Sequence, residues 1–115
     1  MALIYAANQK AKLAPFYDLV CTRAIEHIDA KLAMSISGEF NPDKINLSHW
    51  DEFAKNCGVR QKYLYKLLQE MAENLMLKVK EVRQKFENKY GAYPALDRVE
   101  KIVMRQCKKL LRYTV

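Results

Sequence analysis

The chain has 115 residues, half of them apolar and 29% charged, which suits one domain with a modest core and not two. No apolar run approaches the roughly 20 residues a membrane helix needs, and "MALIYAANQK" lacks the basic start and long apolar stretch of a signal peptide, so a cytoplasmic protein is expected. The net charge of +7 falls wholly on residues 48–115, with fifteen basic and eight acidic side chains, against five of each in residues 1–47.

The first part of the chain is short-range and mixed. "ALIYAA" reads as a β-strand or the remnant of one. "KLAPFYDLV" reads as extended around Pro15, because a proline pushes the residue before it out of the helical region. Its one carboxylate, Asp18, lies between Tyr17 and Leu19; burying it unpaired costs several kcal/mol, so it faces either water or a positive partner. "AIEHIDAKLAM" has apolar residues at 25, 28, 32 and 33, a short-helix spacing, and "SISGEFNPDKINL" is rich in turn residues such as Gly38, Asn41 and Pro42.

The second part is helical. Ser48, with Asp51 three residues on, approximates a capping box, and the helix it opens runs through "HWDEFAKNC" to Gly58. A long helix is predicted from about Arg60 to Tyr90. Its apolar positions, from Leu64, Leu67, Leu68 and Met71 through Leu75, Val79 and Val82 to Phe86, recur at steps of three and four, predicting one buried face. Gly91 ends it and Pro94 lies just beyond. A last helix over about 95–113 places Leu96, Val99, Val103, Cys107 and Leu110 on one face. The fold class expected is mainly α: a three-helix bundle in a single domain over 1–115, with a short β segment at the N-terminus. Met71, Met76, Phe86 and Met104 are expected in its core, with Trp50 a packing anchor.

Three isolated cysteines, Cys21, Cys57 and Cys107, form no CxxC pair and, with His27 and His49, no metal-ligand spacing, so free thiols are expected. "FAKNCGVRQKYLYKLL" has the alanine, the turn glycine and the leucines of a helix-turn-helix. Arg60, Gln61, Lys62 and Lys66 would then face a DNA major groove. The same residues suit any two helices meeting at a short turn. A small basic DNA-binding or protein-interaction module therefore stands as the alternative reading.

"LAPFYDLV", "DAKLAMSISG" and "HWDEFAKNCGV" with the helices after it together resemble the C-terminal part of HipA-family serine/threonine kinases, toxins of bacterial toxin–antitoxin modules, over residues 12–113. The resemblance implies that Asp18 is the counterpart of the magnesium-binding aspartate of the protein-kinase DFG motif, that Tyr17 lies near the nucleotide, and that residues 22–40 form an activation-segment-like stretch more than a helix. It also implies Mg²⁺ and ATP as cofactors of the complete kinase, neither held tightly by this chain alone. The family's catalytic loop, similar to Asp-x-His-x-Lys-Asn, has no counterpart here. The seventeen residues before Asp18 hold no Asp, Glu or His, and Asn8 lacks the neighbours the motif requires. No glycine-rich phosphate loop or strand lysine is present either. The expectation is a C-terminal kinase fragment with no catalytic residue of its own and no activity in isolation. Expected partners are the missing N-terminal kinase part, an antitoxin-like protein or a second copy, with no membrane association.

Overall fold

A computed structural model describes residues 3–5, 11–13 and 21–114 of the chain. Strand β1 (Leu3–Tyr5) pairs antiparallel with β2 (Ala11–Leu13) in the register Leu3 to Leu13, Ile4 to Lys12 and Tyr5 to Ala11. This is the short β segment expected at "ALIYAA".

From Cys21 to Asn46 the described chain forms no α-helix. A 3-10 turn at Thr22–Ala24 and a second at Pro42–Lys44 bracket a run of bends. The helical spacing over 25–33 is overridden. His27 sits at φ 65°, in the left-handed region that ends a helix, and Asp29 Oδ1 accepts the Lys31 amide at 2.9 Å, a local turn that competes with helical bonding. Ile25 and Ile28 stay half exposed, so no core rewards the pattern. Ser37 and Gly38, both at positive φ, make the two-residue turn of a tight hairpin in which the amides and carbonyls of Ile36 and Glu39 exchange bonds of 3.0 and 3.1 Å.

Helix α1 spans Leu47–Cys57, α2 Gln61–Tyr90 and α3 Pro94–Thr114. The expected Ser48–Asp51 cap is not the one used. Asn46 Oδ1 accepts the Ser48 amide at 3.0 Å, and His49 Nδ1 accepts the Asn46 amide at 3.0 Å, a reciprocal box two residues earlier. Asparagine and serine are comparable N-cap residues, and Asp51 leaves one buried carboxylate oxygen without a partner among the described residues. Gly58 ends α1 at φ 71°, and the Val59 amide reaches back to the Ala54 carbonyl at 3.0 Å.

The three helices form a bundle in which α3 returns antiparallel along α2. Arg83 near the end of α2 binds Asp97 and Glu100 near the start of α3, while Gln69 near the start of α2 donates to the carbonyl of Thr114. Trp50 of α1 donates from Nε1 to Tyr113 Oη at 2.8 Å and stacks edge-on against Phe53. It is the packing anchor expected. Ala54 and Ala72 are fully buried where helices approach, with Leu64 and Cys107 beside them. The single buried face predicted for α2 is only partly realised. Leu67, Met71, Leu75, Val82 and Phe86 remain on the surface, with Met71 64% and Val82 61% exposed. Beyond the start of α2, where α1 packs, α3 covers one flank of the stripe and leaves the other open.

Candidate functional site

The segment after the predicted metal position is clamped onto α3. Arg23 donates from Nη2 to both carboxylate oxygens of Asp43, at 3.1 and 3.0 Å. Gln106 donates to Asp43 Oδ1 at 3.1 Å, Lys109 donates to the carbonyls of Pro42 and Asp43, and Arg98 donates from Nε to the Ala24 carbonyl at 3.3 Å. Three side chains of α3 thus hold both ends of the stretch between the two 3-10 turns. Partial burial works to raise the Asp43 carboxyl, but the Gln106 hydrogen bond and the charge and hydrogen bond of Arg23, with Arg105 nearby, hold it below the usual carboxylate value. Ser37 Oγ donates to the His49 carbonyl at 2.7 Å and ties the hairpin to α1. Sequence reasoning missed this clamp. Its contacts to α3 join residues more than sixty apart, and a lone Gln or Lys on a helix flank carries no signal of what it will reach.

Beside the clamp runs an apolar groove between α2 and α3, lined by Leu75, Val79, Val82, Phe86, Leu96 and Val99 among others. It continues along α2 past Leu75 to Met71 and Leu67. Arg83 closes one edge, bound to Glu87 at 3.0 Å and Asp97 at 3.3 Å and also to Glu100, so its charge is fully engaged. At the α1–α2 turn the residues of the helix-turn-helix reading, Arg60, Gln61, Lys62 and Lys66, are all exposed. Arg60 is the N-cap of a 30-residue helix, and the other three occupy its first two turns.

Tyr17 and Asp18 lie outside the described residues, as do Pro15 and Asn8. The described chain resumes at Cys21, three residues beyond Asp18. Among the described residues no group of three or more His, Cys, Asp or Glu side chains could hold a metal ion, and no helix is long and apolar enough to cross a membrane. The three cysteines are unpaired, and burial pushes the Cys107 thiol up, away from reactivity.

No curated protein and no solved structure matches the chain. A family model does: residues 1–80 match the HipA-like C-terminal domain. The matched stretch starts earlier than the resemblance read from the sequence and stops within α2, so α3 lies beyond it. It covers both strands, the clamped segment, α1 and two thirds of α2, more than half of the chain, and on that ground the protein belongs to the HipA-like C-terminal domain family.

Proposed function

We propose that this chain contributes the magnesium-binding segment and helical C-lobe of a HipA-like serine/threonine kinase, and that it works only together with the catalytic loop, which these 115 residues do not carry. The observation that carries this reading is the family match, which runs through the segment containing Asp18. Asp18 is the metal ligand in this proposal, and Tyr17 lies beside the nucleotide. Mg²⁺ keeps several waters and takes one or two carboxylates plus phosphate oxygens, so a single carboxylate positions the ion only when ATP and a second ligand residue are present. Asp18 is the only acidic side chain in the first twenty residues, which suits that shared role. The bound ion would neutralise charge on the transferring phosphoryl group. This chain's part is to hold Asp18 in place, and the clamp of Arg98, Gln106 and Lys109 on the following segment supplies a rigid base for it.

The surface supports a partner. The chain exposes 9265 Å², whereas a folded monomer of this mass exposes about 6,500 Å². The apolar stripe of α2 contributes to the excess, and such faces are where chains associate. The same area would suit a second copy or an antitoxin-like protein.

The test is capture of the tagged chain from its native extract, at moderate salt with nuclease, read by mass spectrometry. Recovery of a polypeptide carrying an Asp-x-His-x-Lys-Asn loop supports the reading. Recovery of nothing, or of the chain alone, sinks it. The chain by itself is expected to phosphorylate nothing. With the loop-bearing partner, Asp18→Ala is expected to lower ATP-dependent phosphoryl transfer by about 10²-fold or more, measured by radiolabel incorporation.

A further inference from the structure

Helix α3 presents two unlike faces. Leu96, Val99, Val103, Cys107 and Leu110 lie on the face toward α2. On the opposite side Arg98, Lys101, Arg105, Lys108 and Arg112 recur at steps of three and four. All five are exposed; Arg98 also holds the Ala24 carbonyl, and the other four, with Met104, line one shallow groove. They span fifteen residues, fourteen rises or about 21 Å of helix.

Apart from Glu26, which shares a shallow pocket with Arg98, the acids near this row are already engaged. Asp97 binds Lys101 at 2.8 Å and Arg83, Glu100 binds Arg83, and Asp43 is held by Arg23 and Gln106. Arg105, Lys108 and Arg112 have no ion pair among the described residues. We infer that this outer face of α3 docks on the phosphate backbone of duplex nucleic acid, independently of the kinase reading. Protein–protein interfaces are depleted in lysine and centred on aromatic or apolar anchors, which the row lacks apart from the half-buried Met104. Single-stranded nucleic acid needs aromatic platforms for its bases, and the row carries none. A membrane surface would want an amphipathic helix with its apolar face free, but that face of α3 is spent on α2. Closely spaced cations along one helix face match contact with successive backbone phosphates, which carries no sequence preference of its own.

The experiment is fluorescence anisotropy of labelled 20-base-pair mixed-sequence duplex DNA, duplex RNA and single-stranded DNA, titrated with the full chain between 25 and 200 mM salt. Three or four phosphate contacts predict a log–log salt slope between about −2.7 and −3.6 on at least one duplex, and the tighter duplex identifies the natural backbone. The Arg105→Gln/Lys108→Gln/Arg112→Gln variant, checked for helicity by circular dichroism, should lose about 2.7 units of that slope and at least tenfold in affinity at low salt. Replacing the two arginines by lysine should keep the slope, which a variant that had merely misfolded could not do. Several outcomes overturn the inference: no duplex binding at 25 mM salt, an unchanged slope in the triple glutamine variant, or loss of binding on Arg60→Gln/Lys62→Gln instead. Equal or tighter binding to single strands, phosphatidylserine vesicles or polyglutamate also overturns it.

Discussion

At the scale of single residues, two small polar devices fix the path of the chain. Asn46 and His49 cap α1 reciprocally, and the Ser48 hydroxyl adds a 2.6 Å bond to Asn46 Oδ1. Truncating Asn46 to alanine orphans the first amides of the helix. It should cost about 1 kcal/mol, a drop of several degrees in thermal midpoint followed by circular dichroism. Asp43 adds a pH dependence. Its folded carboxyl sits below the ordinary 3.8, so the folded state favours the charged form. That contribution is complete above about pH 4 and is lost as pH falls through the lowered folded value. Urea midpoints measured from pH 5 down to pH 2 should fall less steeply in Asp43→Asn than in the parent chain. An unchanged acid limb would show that the clamp adds nothing.

At the scale of elements, the helices were legible and their coverage was not. Gly58, Gly91 and Pro94 punctuate the sequence, and the structure ends and starts helices there because left-handed turns and missing amides are local properties. The cap was misplaced because histidine at the third helical position is an unusual partner, whereas Ser48 and Asp51 fitted the common pattern. The spacing at 25–33 misled because amphipathic periodicity stabilises a helix only when something packs on it, and Ile25 and Ile28 find no such surface. Of the candidate site, the clamp was not legible, because it depends on long-range approach, and the carboxylate at position 18, which stands out from the sequence, lies outside the described residues. Where α1 meets the bundle the fit is tight: Ala54 has no exposed surface. Ala54→Leu should therefore overpack the seam and destabilise by about 1–3 kcal/mol, measured by urea unfolding. A neutral result would mean that the seam can spread.

At the scale of the whole molecule, the chain is under-buried. Its 9265 Å² of exposed surface means that folding removes only about 53% of the extended chain's area, less than the roughly 60% typical of a 60-residue domain. The radius of gyration of 16.6 Å likewise exceeds the roughly 13 Å of a compact chain this long. The exposed stripe of the long α2 contributes to both. The isolated chain should therefore unfold in urea with a shallow slope, near 1 kcal/mol/M, and a partner that covers the α2–α3 groove should steepen it. A slope near 3 kcal/mol/M would mean that the isolated chain already buries this surface.

The contact between Trp50 and Tyr113 has one more use. The chain holds a single tryptophan, and its indole sits half-buried at the meeting of the first helix with the end of the last, bonded to a phenol 63 residues away. Its emission colour and its quenching by acrylamide therefore report, without any label, whether the last helix is seated. The same optical signal can be read while a partner, a nucleotide or a strand of DNA is added. A ligand that loosens the seat would shift the emission to the red, and one that locks it would shift it to the blue.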